Sequence, residues 1–318
     1  MVGCRCSLSG LTLAALLISP LVQARDAGQW LQGMVDASGQ QSYSGSFFYE
    51  RSGSFSTHHI WHRADGDGVT ERMLRADGEP QEWVRRDGQI QCASSFAAVS
   101  GWRGEAPATL NPAQLQRWYA LEVLGTTRVA DRPVTVIAMK PRDAFRYAYE
   151  LYLDDQTGML LKSLLINERN VLLERFQFTD VQFAEWTDEQ LEPGASCLTL
   201  AEHPLEKRVD TSGWVPGWIP PGFVAGEPVV RTLAVNEPQV MSQAFSDGLA
   251  RFTLFVEPLG DGALAEDLLA QLGPTVAVSR RLQVEGVGYL ATIVGEIPPA
   301  TAERIAASFP FATAEMAQ

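Results

Sequence analysis

The chain has 318 residues, 46% of them apolar, and carries 38 acidic side chains against 25 Lys and Arg, a net charge of −13. The length is sufficient for two hydrophobic cores. The acidic balance excludes the basic footprint that a nucleic-acid binder needs. Residues 1–24 open with Arg5, run through an apolar stretch from Leu11 to Ile18, and reach Pro20 and Val22-Gln23-Ala24. A charged start, a short apolar core and a terminal small residue read as a secretory signal peptide. That core is too short to span a bilayer, and Cys4 and Cys6 precede it, where a lipoprotein cysteine would follow. The reading is an exported, unanchored chain. Its mature part keeps 24 Lys and Arg against 38 acidic residues, because only Arg5 is lost, a balance of −14. Two cysteines remain, Cys92 and Cys197. In an oxidising compartment an even pair points to one disulfide, with two buried thiols as the alternative.

In chain order, Asp26 stands as an N-cap before Trp30, Leu31, Met34 and Val35, which share one face of a short amphipathic helix. After Ser44 the pattern changes to period two. "GSFFYER" and "FSTHHIWHR" flank Ser52-Gly53-Ser54, a hairpin signal. Asp-Gly pairs recur at Asp65-Gly66, Asp67-Gly68, Asp77-Gly78 and Asp87-Gly88 and supply the positive φ of tight turns, so the region reads as an antiparallel meander. The second of these strands holds His58, His59 and His62, three of the chain's four histidines. In a strand, His58 and His62 share a face but lie about 13 Å apart, and His59 points to the other face. One ion cannot span that spacing, so the histidines are assigned to a solvated or hydrogen-bonded strand face and no metal is expected.

Asn111 caps a helix with Pro112 in its first turn. Three further strand signals follow: "LEVLGTTRVA" with "PVTVIAMKP" about Asp131-Arg132, "FRYAYELYLD" with "MLLKSLLINE" about Gln156-Thr157-Gly158, and "VLLERFQFTDVQF" after Arg169-Asn170. The expected fold is α+β and predominantly antiparallel β, an open half-barrel with helices in its concavity. Residues 187–213 are polar and lack period. Beyond them, "GWVPGWIPPGF" is followed by strands at Val229–Ala234, Val240–Ser246 and Arg251–Pro258, a helical segment at Gly262–Leu272, strands at Pro274–Gln283 and Tyr289–Ile297, and a closing helix in "TAERIAASF". The organisation read from this is a signal peptide at 1–24, an N-terminal domain at 25–202, a linker at 203–213 and a smaller α+β domain at 214–318. No G-x-S-x-G, H-E-x-x-H, phosphate loop, G-x-G-x-x-G or mature C-x-x-C occurs, which disfavours an enzyme; no catalytic residue and no cofactor is assigned.

"YERSGSFSTHHIWHR", "VLLERFQFTD", "WIPPGF", "DGLARFTLFVEPL", "QLGPTVAVSRRL" and "TIVGEIP" together resemble the RseB/MucB family of periplasmic sigma-factor regulatory proteins, in register over essentially the whole mature chain. The resemblance implies a periplasmic location and an N-terminal domain like the lipoprotein carriers LolA and LolB. It also implies binding to the periplasmic part of a single-pass anti-sigma factor, shielding of that factor from the first protease of an envelope-stress cascade, and release by lipopolysaccharide or a related lipid. In the mucoid branch the output is alginate production. Self-association is a further option. On that basis Phe47, Tyr49 and Trp61, with Arg85 or Arg86 for phosphates, are candidate lipid-lining residues, core packing being the alternative for the aromatics. Trp214, Trp218, Arg251, Arg280 and Arg281 are candidate partner contacts, since aromatics and Arg carry much interface energy. The rival readings are a lipid or lipoprotein carrier, which needs no second domain, and an envelope hydrolase.

Overall fold

A computed structural model describes residues 25–66, 68–95, 110–184, 186–199, 214–232, 239–259, 267–284 and 286–309. The expected signal peptide and the expected linker at 203–213 lie outside them. Helix α1 (Ala27–Gln40) starts at a capping box: Asp26 Oδ1 accepts from the Gln29 amide at 2.8 Å, and Gln29 Oε1 accepts from the Asp26 amide at 3.0 Å. Its buried face carries Trp30, Leu31, Met34 and Ala37. Helix α2 (Pro112–Trp118) is capped by the Asn111 side chain, which accepts from the amides of Ala113 and Gln114.

Five strands form the meander, β1 (Tyr43–Arg51), β2 (Ser54–Asp65), β3 (Gly68–Arg75), β4 (Glu82–Arg86) and β5 (Gln89–Ala93). Ser52-Gly53 and Asp87-Gly88 hold φ of 53° and 76°, and of 47° and 78°, the two successive positive angles of the turns that match strand twist. Then come β6 (Tyr119–Val129), β7 (Arg132–Pro141), β8 (Ala148–Asp154), β9 (Leu160–Ile166) and β10 (Leu172–Phe183), a one-turn helix α3 (Asp188–Leu191) and a two-residue strand β11 (Leu198–Thr199). They make one antiparallel sheet ordered β11-β5-β4-β3-β2-β1-β10-β9-β8-β7-β6. Helix α1 touches both β2 and β6, six positions apart in that order, so the sheet must curl around the helix. Among the described residues the sheet stays open, with β11 and β6 as its ends.

The second sheet contains β12 (Val224–Ala225), β13 (Val229–Thr232), β14 (Gln239–Ser246), β15 (Arg251–Pro258), β16 (Leu268–Leu272), β17 (Thr275–Val284) and β18 (Val287–Gly295), in the order β12-β14-β15-β18-β17-β16 with β13 also on β14. Helix α4 (Pro299–Ala307) covers it, burying Ala302, Ile305 and Ala306 against Phe252, Leu254, Val276 and Ile293. Both domains are thus α+β and antiparallel, as expected. Two local readings are corrected. Of the expected helical segment Gly262–Leu272, residues 262–266 lie outside the described residues and Leu268–Leu272 is strand: Leu268, Leu269 and Leu272 have helical spacing, but pairing of Leu268 with Ser279 and Leu272 with Thr275 about the tight turn at Gly273 overrides it. Phe145–Tyr147 lies outside β8 because its side chains are used between the domains, as described next.

Candidate functional site: a cleft between the two domains

The loop between β7 and β8 joins the domains. Arg146 is fully buried. Its Nη1 donates to Asp247 Oδ2 at 2.6 Å, its Nη2 donates to the Pro221 carbonyl at 2.7 Å, and Asp143 flanks it at 3.0 Å. The guanidinium lies over the rings of Trp118, Tyr119 and Phe223 at 5.2, 5.7 and 5.2 Å. Asp247, also fully buried, accepts with Oδ1 from the amides of Leu249 and Ala250, so both of its oxygens are engaged. Burial nevertheless pushes its carboxyl pKa up. Tyr147 donates its hydroxyl to the Ile297 carbonyl at 3.0 Å, and Arg51 reaches Thr275 and Glu296. Gly222, at φ +89°, lies flat on Trp118, where any Cβ would come 2.2 Å from the indole.

Above this joint opens a cleft of about 1160 Å³, lined from both domains. The concave sheet and its helices contribute Met34, Leu110, Trp118, Leu151, Leu160 and Leu165. The second domain contributes Val224, Phe245, Asp247, Leu249, Arg251 and Glu296. At one end the wall is polar, with His62, Glu71 and Arg85. His62 is 2% exposed, stacks on Tyr43 at 4.7 Å between centroids, and hydrogen-bonds through Nδ1 to the Gln41 carbonyl at 3.0 Å. Burial pushes its pKa down to about 4. Glu71, also 2% exposed, accepts from Arg85 Nε. Among the described residues no group of three or more His, Cys, Asp or Glu could hold a metal.

Register decides where the candidate residues lie, because directly opposed residues share a face. Phe47 opposes His58 and Phe178, and Tyr49 opposes Ser56 and Phe176, all on the concave face. Trp61 opposes Ser44 and Arg72 on the convex face, with the Arg72 guanidinium 5.2 Å from its ring. Phe47, Tyr49 and Trp61 therefore cannot line one pocket. Phe47 and Tyr49 are sealed in the core with Phe176 and Phe178 and do not reach the cleft. Arg85 does reach it, already paired with Glu71, whereas Arg86 falls on the convex face with Thr70 and Arg63. The strand reading of the histidines corresponds to β2. Of the two expected environments, solvated or hydrogen-bonded, His62 has the second: it is buried and bonded to the Gln41 carbonyl.

The five candidate partner contacts are not brought together. Trp214 packs edge-on to Tyr289 at 4.5 Å, against the second core. Trp218 sits in the joint, 5.1 Å from Phe145 and under the Arg304 guanidinium at 3.8 Å. Arg251 lines the cleft, and Arg280 and Arg281 are neighbours on β17, so they point to opposite faces. Cys92 and Cys197 are joined, with S–S 2.04 Å and Cα atoms 5.3 Å apart, pinning β11 to β5. Sequence reasoning missed Arg146 and Asp247, whose only local signal is an Arg between Phe145 and Tyr147 in what reads as strand.

Fold and cleft together define a class: a two-domain, β-rich protein whose open sheet is faced by a second sheet across a ligand-sized cleft. The chain belongs to the MucB/RseB family, its residues 26–196 matching the MucB/RseB N-terminal domain and 208–310 the MucB/RseB C-terminal domain. It is similar to the sigma factor AlgU regulatory protein MucB of Pseudomonas aeruginosa, 46% identical over 305 residues, 94% of this chain and 95% of that one. The sigma-E factor regulatory protein RseB of Escherichia coli (strain K12) is 29% identical over 317 residues, 96% and 97% of the two chains. A solved complex of Pseudomonas aeruginosa MucA and MucB matches at 44% identity and a TM-score of 0.78, covering 91% of this chain and 99% of that one.

Proposed function

We propose that this chain is a periplasmic negative regulator. It binds the periplasmic region of a membrane anti-sigma factor, shields it from the initiating protease, and lets go when lipopolysaccharide or a related lipid occupies the cleft. The observation that carries this reading is the cleft's double wall. Asp247 and Trp118 line it and also hold Arg146, so an occupant bears on the residues that set the domain arrangement. A ligand that favours one arrangement and a partner that favours another must each weaken the other's binding by the same factor. Likeness over both domains to a MucB solved with MucA supports the partner. A simple carrier would need no second domain in its cleft wall. Reconstitution with the anti-sigma periplasmic segment and its protease is the test: cleavage blocked by the chain and restored by lipopolysaccharide is expected, and unimpeded cleavage in its presence would sink the reading.

A further inference from the structure

The polar end of the cleft presents two buried acceptors to each other. A carbonyl only accepts, so the 3.0 Å bond to Gln41 places the His62 proton on Nδ1 and leaves Nε2 as a lone pair. Burial keeps the ring neutral, its pKa held at about 4. Nε2 stands 3.5 Å from Glu71 Oε1. That oxygen is buried without a hydrogen-bond partner, while Oε2 is taken by Arg85. Two buried acceptors facing each other at that distance are both short of a donor, and an occupant of the cleft beside them can supply one. The Arg85 charge is answered by Glu71, and a further carboxylate, Asp87, lines the same wall. An anionic head would meet carboxylates there. The cleft's other arginines, Arg117 and Arg251, are exposed and belong to α2 and β15.

We propose that His62 Nε2 and Glu71 Oε1 form a head-group site for an amphiphile that presents an uncharged hydroxyl or amide N–H, its chain lying over Leu110, Leu151, Leu160 and Leu165. This rests on the reading of the cleft as the lipid site and names which part of the lipid is held there. Sugar hydroxyls and acyl-amide groups have this chemistry, and phosphates lack it. The test is calorimetric titration of the full mature chain with two probes of equal chain length, monolauroylglycerol and dodecyl phosphate, below their micelle concentrations. Monolauroylglycerol should bind about tenfold tighter, the worth of one to two buried hydrogen bonds. Glu71→Gln should erase that preference, and so should His62→Phe, which keeps a ring on Tyr43. A preference for the phosphate, or one that survives both substitutions, overturns the head-group site and leaves the cleft's lipid role standing. Binding of neither probe overturns the lipid role itself, and the head-group site with it. Nitrogen NMR of the unsubstituted chain gives a reading that needs no variant: the Nδ1–H tautomer of His62 is expected, and Nε2–H would place a donor against Glu71 and overturn the site.

Discussion

His62 and Arg146 show how far a side chain's meaning depends on what closes over it. In the sequence both are polar residues in strand-like runs; in the fold one is a neutral ring in the core and the other a fully buried cation. The histidine carries a pH signature. Its folded pKa of about 4 lies below the ordinary 6.5, so the unfolded chain binds more protons between those values and stability falls as pH drops through that window. The contribution is at most about 3 kcal/mol for His62, and His58, stacked on Phe47 and also held near 4, adds in the same sense. The midpoint of thermal unfolding should therefore fall between pH 6.5 and 4 and be flat for these groups above it. His62→Phe should reduce that slope by less than half, because His58 and His59, whose pKa values burial also pushes down, keep their shares. An unchanged slope in the variant would show that His62 is not the titrating group.

At the scale of elements, two short pieces hold more than their length suggests. Among the described residues strand β11 pairs through Leu198 and Thr199, and the Cys92–Cys197 bond, closing a separation of 105 residues, fastens it to the sheet. In the chain-entropy account such a loop is worth about 4–5 kcal/mol. Unfolded, unreduced mature protein should label no thiol, and reduction should lower the unfolding midpoint by several degrees; two labelled thiols would end the assignment. The other piece is the segment around Gly222, which combines φ +89° with contact on the Trp118 indole. Alanine there meets both a strained backbone and a clash, so Gly222→Ala should cost about 1–3 kcal/mol. Gly53→Ala, at φ +76° but in open space, should cost less. Chemical denaturation of the two variants separates packing from backbone strain, and equal losses would leave the Trp118 contact without a role.

For the molecule as a whole, the joint makes cleft and domain arrangement one system. Losing Arg146 strands the buried Asp247 carboxylate at a cost of about 3–5 kcal/mol, whereas losing the Asp247 charge leaves Arg146 paired with Asp143 alone and removes the ionic tie between the domains. Asp247→Asn should therefore broaden the distance between spin labels at Arg128 and Val287, exposed positions in the two domains. Combined with Arg146→Gln it should cost much less than the sum of the single changes, the mark of direct coupling. Additive costs and an unbroadened distance would mean that the other contacts of the joint, among them Tyr147 with Ile297, Arg51 with Glu296 and Phe145 with Trp218, suffice without the pair.

The period-two runs between Asp-Gly and Ser-Gly turns, the capped helices at Asp26 and Asn111, the division into two α+β units and the family itself were all legible in the chain, because each is written in local propensity, turn chemistry or long matched segments. The histidine strand was legible for the same reason: spacing along β2 fixes which side chains share a face. What spacing along one strand cannot say is which face of its neighbour that is. Only the pairing of Phe47 with His58, and of Trp61 with Ser44, put the predicted lipid-lining aromatics on opposite sides of the sheet. The same limit applied at Leu268–Leu272, where a distant strand outweighed helical spacing, and at Arg146 and Asp247, about a hundred residues apart, whose joint purpose exists only once two sheets meet. Local chemistry set the elements; register and the contact between domains, which are long-range properties, decided where the cleft lies and what faces it.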